Sequence, residues 1–186
     1  MELKVPRGHI GAEQAKSSII AAFTRLVHGK GAVVPSIAQL LTEAGIARST
    51  LYRHFDDRTS LLVASMHAPF EIFSTAAVEG KASPQLIELL DHFWNERRVA
   101  VELLGQPSAN RLARKLGEQI NARHTGLAAA DAVRVAHTQL TLLRLWLSGE
   151  TPGSAADVAG KIAKSSVLQI AAFIEHCSAT ASEFDC

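Results

Sequence analysis

The stretch 43-EAGIARSTLYRHFDD-57 decides how this chain reads. Between Ile46 and Phe55 it crowds two arginines, two aliphatic hydroxyls, a tyrosine and a histidine, with apolar residues only where a core needs them. A helix that merely fills a core does not spend so many positions on hydrogen-bond donors, whereas a helix lying against a polyanion does. Upstream, Ser36-Ile37-Ala38-Gln39 places a hydroxyl three residues before a Gln, the pattern of a capping box. It opens a helix through 37-IAQLLTEA-44, with Ile37, Leu40 and Leu41 facing inward. Gly45 allows the left-handed turn that ends this helix, Ile46 plugs the turn, and 48-RSTLYRHF-55 forms a second short helix.

Two such helices joined by a glycine turn make a helix-turn-helix, a unit whose second helix enters the major groove of DNA. In the second helix Leu51 and Phe55 form the inward stripe, and Arg48, Ser49, Tyr52 and Arg53 point elsewhere. Arginine can grip guanine N7 and O6 with two N–H groups, and hydroxyls reach bases or phosphates. Thr50, Tyr52 and His54 suit phosphate oxygens, which position a helix without reading sequence. Arg58 follows the Asp57 cap and stands in the first turn of the next helix. Its charge opposes the dipole there, which makes sense if a phosphate shares the site.

Taken whole, 37-IAQLLTEAGIARSTLYRHFDDRTSLL-62 resembles the helix-turn-helix of TetR-family transcriptional regulators, and the resemblance covers residues 12–66. It lies in the hydroxyl-capped second helix, the Ala-Gly-aliphatic turn, the Thr-Leu-Tyr run, the Phe, and the basic residue opening the fourth helix. The segment 142-LLRLWLSGETP-152 is loosely similar to the penultimate helix of many members. The resemblance implies that Arg48, Ser49 and Arg53 lie near bases, and that Ser36, Thr50, Tyr52, His54 and Arg58 contact phosphates. One residue departs from the pattern: Ala47 stands where the family usually has a Ser or Thr cap. A missing cap costs about 1 kcal/mol, so the recognition helix is expected to fray without DNA.

Composition agrees with such a division of labour. Of 186 residues 47% are apolar, ample for a large core, and the net charge of +1 is unevenly spread. Residues 1–66 hold eight Lys and Arg against five Asp and Glu, leaving eleven against thirteen in the rest. A basic end and a faintly acidic body result. The two cysteines, Cys177 and Cys186, have no metal-ligand spacing around them, and a reduced compartment is expected. No apolar leader opens the chain and no apolar run approaches the roughly 18 residues of a membrane span. A cytoplasmic protein with no membrane partner is the expectation.

Apolar spacing is helical nearly throughout: Ile19, Phe23 and Leu26; Val133, Ala136, Leu140, Leu143 and Leu147; Ala163, Val167, Ile170 and Ile174. The spacing predicts an all-α protein of about nine helices. A helix-turn-helix domain would occupy 1–66, with a flexible N-terminal arm over 1–11, and a helical domain 67–186. A continuous helix over roughly 57–79, interrupted or kinked at Pro69, is expected to join them and to act as the lever between pocket and head.

The resemblance also implies that the second domain dimerises and binds a small effector. One short recognition helix reads few base pairs, so a homodimer on a palindromic operator of double-stranded DNA fits the same picture. The alanine-rich helices near 128–148 and 154–176 suit a four-helix bundle between two subunits, or equally packing inside one. An effector pocket is sought among the middle helices. Its apolar lining would come from Phe70, Phe73, Phe93, Trp94, Leu104, Leu112, Leu116 and Trp146, with His92, Arg97, His137 and Arg144 as polar handles. No nucleophile elbow, P-loop, dinucleotide fingerprint or His pair at i, i+4 is present, so no catalytic, cofactor or metal role is expected. The sequence therefore reads as a regulator, expected to be a repressor. An activator, or a helical protein whose head grips another protein, are the readings beside it.

Overall fold

The structure, a computed structural model, describes residues 11–28, 34–105 and 107–183, with 177–183 as backbone only. The N-terminal arm, apart from Gly11, lies outside the described residues, as do Cys186 and the thiol of Cys177. The protein is all-α, with ten helices and no strand among the described residues. The chain divides into two compact units, Met1–Ser65 and Met66–Cys186.

The first unit holds α1 (Ala12–His28), α2 (Ile37–Ala44), α3 (Arg48–His54) and α4 (Arg58–Ser65). Helix α1 packs on the other three through Ala15, Ile19, Ala22, Phe23 and Val27, spaced at three and four so that one face is apolar. Leu40, Leu51, Phe55, Leu61 and Leu62 complete the core, each 5% exposed or less. Burying a side chain of this size contributes about 1.5–3 kcal/mol. Short helices depend on such anchors, because they are too short to be stable alone in water.

The second unit holds α5 (His67–Glu79), α6 (Pro84–Asn95), α7 (Arg97–Leu104), α8 (Ala109–Arg123), α9 (Ala129–Leu147) and α10 (Ala155–Glu183). Helix α9 packs on α7, α8 and α10, and α5 packs on both α8 and α10. Where α8 meets α9, Gly117 lets the backbones close: a Cβ there would fall 2.8 Å from the Cα of Val133. Gly80, at φ 66°, ends α5 in the left-handed region, and Ser83 caps α6 by accepting from Leu86 N–H at 3.1 Å. Thr138 and Gln169 exchange hydrogen bonds of 3.1–3.2 Å between α9 and α10.

The helix expected over 57–79, interrupted or kinked at Pro69, is two helices, α4 and α5. Pro69 has no N–H to give the Ser65 carbonyl four residues back, and its ring crowds that carbonyl. The ladder therefore stops at Ser65, whose hydroxyl turns to the Leu62 carbonyl at 2.8 Å. It restarts from Met66, whose carbonyl accepts from Phe70 N–H at 2.9 Å. Pro69 stands in the first turn of α5, where a missing N–H has no cost.

Candidate nucleic-acid interface

Each part of the turn between α2 and α3 follows from its residues. Ser36 at the N-cap accepts from Gln39 N–H at 3.3 Å, and Gln39 Oε1 accepts from Ser36 N–H at 2.9 Å, closing the capping box. At the other end Gly45 adopts φ 63°, and Ile46 N–H donates to the Leu41 carbonyl at 3.2 Å. This bond from Ile46 back to Leu41 is the signature of a Schellman ending, which turns the chain sharply. Ala47 then starts α3 in extended backbone with no side-chain cap.

Helix α3 is held from behind by Leu51, 2% exposed, while Phe55, 5% exposed, closes it at the C-cap. Ala47 leaves the first N–H groups of α3 without a side-chain partner, so the helix relies on those two anchors. At 100° per residue Arg48, Ser49, Tyr52 and Arg53 share an arc of roughly 140°. All four are exposed, Tyr52 by 47%, an unusual position for a large aromatic ring. Thr50 and His54, half-buried, flank the arc on its far side.

Arg58 is exposed at the first position of α4. The turn before it is closed by Asp57, whose Oδ1 accepts from Ser60 N–H at 2.6 Å while Ser60 Oγ donates to the Asp57 carbonyl at 2.6 Å. Tyr52 and Arg58 border one small depression with Ile37, Leu40, Leu51, Phe55, Asp57 and Leu61. Two residues chosen for phosphate contact are thus brought together, although they come from different helices. Ser36 is exposed at the start of α2, with its hydroxyl already bonded to Gln39 Oε1 at 2.9 Å.

Charge in this unit is distributed unevenly. Arg25 of α1 is tied to Glu43 of α2 at 2.7 Å. Arg48, Arg53 and Arg58 form no ion pair among the described residues.

The residues sought as an effector lining are dispersed differently. Phe70, Phe73, Leu112 and Leu116 are fully buried, and Phe93, Leu104 and Trp146 nearly so. Trp94 stacks on Trp146, with centroids 4.8 Å apart, and the Arg97 guanidinium lies 4.9 Å from the Trp94 ring centroid. Trp146 Nε1 donates to the Gly153 carbonyl at 2.9 Å. The stack satisfies itself and faces outward through Trp94 and Arg97, and His137 and Arg144 are also exposed. None of these handles points to the interior as a charged partner.

The sequence reading passed over the buried amides Gln139 of α9 and Gln119 of α8. The signal was available: Gln139 falls between Ala136, Leu140 and Leu143 on the apolar face of α9, a lone polar residue in a buried stripe. Among the described residues no three His, Cys, Asp or Glu side chains converge as metal ligands, and no single helix is long and apolar enough to cross a membrane. No family model matches the chain, and no curated protein matches it.

Proposed function

We propose that the chain is a sequence-specific DNA-binding regulator of the TetR type, acting as a dimeric repressor that a small molecule releases from its operator. The observation that carries this reading is the outer arc of α3. Arg48, Ser49, Tyr52 and Arg53 stand exposed on a helix anchored by Leu51 and Phe55, and the arginines are free of internal ion pairs among the described residues. Cations left unneutralised within the protein can displace counterions from duplex DNA, which drives association. The resemblance of residues 12–66 to TetR-family heads adds to this, as does the paired placement of Tyr52 and Arg58.

Selection of bound fragments from random duplex DNA by the purified protein tests the proposal, with Arg48→Ala and Tyr52→Ala run alongside. A palindrome of two half-sites is expected. Arg48→Ala should relax preference at one position of each half-site, at a cost of about 1–3 kcal/mol. Tyr52→Ala should weaken all sequences alike, as loss of a phosphate contact does. Affinity should fall steeply with added salt. Recovery of no sequence at low salt, from protein refolded to strip any bound ligand, would remove the regulator reading.

A further inference from the structure

The capping box at the start of α2 commits both polar protons of Ser36. Its hydroxyl donates to Gln39 Oε1 at 2.9 Å, and its N–H donates to the same oxygen at 2.9 Å. The hydroxyl oxygen meanwhile accepts from Gln39 N–H at 3.3 Å. A phosphate oxygen can only accept, so Ser36 in this arrangement has no proton left to give it. Gln39 is the reverse case. Its Oε1 takes both Ser36 protons, and exchanging the amide oxygen and nitrogen would set the Ser36 N–H against another N–H. The orientation is therefore determined by its partners. Its Nε2, on an exposed side chain, makes no hydrogen bond among the described residues.

A capping box closes with Glu as well as with Gln, and the helix dipole favours Glu. Here the position is neutral and the first turn of α2 holds no acid, so this helix start carries no charge that would repel an anion. Ile37 and Leu40, which flank Gln39 along α2, line the depression that Tyr52 and Arg58 border. We propose that Gln39 Nε2, and not the Ser36 hydroxyl, is the donor that α2 offers to a phosphate of duplex DNA. Ser36 holds the amide in place beforehand, so little side-chain freedom is lost when the phosphate arrives. The contact extends the proposed interface from α3 and α4 to α2, and it rests on the regulator reading for its ligand.

The test uses the full chain and the duplex recovered by selection from random DNA, prepared with one methylphosphonate at each backbone position in turn. That replacement removes the charge of a single phosphate. Gln39→Glu keeps the acceptor for Ser36 and loses both donors; Gln39→Met loses acceptor and donors at a similar size. Gln39→Glu should melt no lower than the parent by dichroism, yet bind the unmodified duplex on the order of tenfold more weakly. Added salt should narrow that deficit. Gln39→Met should bind about fivefold more weakly. At one phosphate of each half-site the methylphosphonate should weaken the parent more than Gln39→Met, and should relieve Gln39→Glu. A purely structural role for Gln39 would single out no phosphate, because independent losses add. Gln39→Glu bound as tightly as the parent, or losses that add at every position, would overturn the contact. A chain that selects no duplex removes the contact together with the regulator; a chain that selects one and shows no such phosphate removes the contact alone.

Discussion

In the first unit the polar side chains of α3 face outward over a core of few anchors, Leu51 and Phe55 among them. In the second, Ser74, Gln119, Gln139 and Ser166 are buried between helices as long as 29 residues. The difference follows from helix length. A helix of seven or eight residues has no surplus of backbone bonds, so its caps and one or two apolar anchors decide whether it forms. Long helices such as α9 and α10 propagate over many turns and pack along their length, so they can hold a buried amide or a glycine without losing the fold. Polar groups in the short helices stay at the surface, while those in the long helices take positions that only packing explains.

The comparison can be broken by variants placed on either side of it. Both tryptophans, Trp94 and Trp146, lie in the second unit, so indole fluorescence reports that unit while far-ultraviolet dichroism reports both. The largest effect is expected from Leu51→Ala, which empties a site 2% exposed and should cost about 2–5 kcal/mol. Its dichroism transition should move to lower temperature and DNA binding should be lost, with the fluorescence transition unmoved. A fluorescence transition that shifts equally would mean the two units do not melt as separate entities.

Gly117→Ala comes next. Its Cβ would meet the Val133 backbone at 2.8 Å, a place where no flexible side chain can yield. Overpacking of this kind costs about 1–3 kcal/mol, reduced by the helical preference of Ala over Gly. Here the fluorescence midpoint should fall; a rise would show that α8 and α9 separate without strain.

Ala47→Ser addresses the bare start of α3. A hydroxyl there should add about 1 kcal/mol to the first unit and raise its midpoint, because one orphaned N–H gains an acceptor. An unchanged midpoint would indicate that Leu51 and Phe55 already hold the first turn.

The smallest effect should come from acid. Arg123, bonded to the Glu71 carboxylate, holds its pKa below the ordinary 4.5, and hydrogen bonds from Ser154 hold Asp157 below 3.8. A folded pKa below the unfolded value makes stability complete above the unfolded value and lost as pH falls through the folded one. The second unit should therefore lose a little stability as pH drops below these values, through two solvent-exposed groups. Glu71→Gln should flatten that slope in a pH series of melting curves; an unaltered slope would assign acid sensitivity elsewhere.

Most of the first unit was readable before any packing was known. The Ser36 cap, the Gly45 turn, the bare Ala47 and the inward pair Leu51 and Phe55 are set within a few residues of one another, where bond geometry and hydrogen-bond supply act locally. The helical stripes of α9 and α10 were equally plain from their spacing. Of the two outcomes expected at Pro69, an interruption or a kink, the chain shows the interruption, and it falls at Met66, three residues ahead of the proline, because the ring crowds the Ser65 carbonyl.

The second unit was legible in outline and not in detail. Composition and period called for buried aromatics, yet could not say that Phe70 and Phe73 fill the interior while Trp94 closes on Trp146 under Arg97 at the surface. Gly117 reads as a weak point in a helix until Val133 is found against it. Gln139 reads as a stray polar residue until Phe73 and Ser166 take its two protons. These partners lie 16 to 66 residues away along the chain. Local chemistry governs caps, turns and periods, but the pairing of distant residues is settled by how whole helices fit together. The exposed arc of α3 belongs to the first kind, and the buried amide of Gln139 to the second.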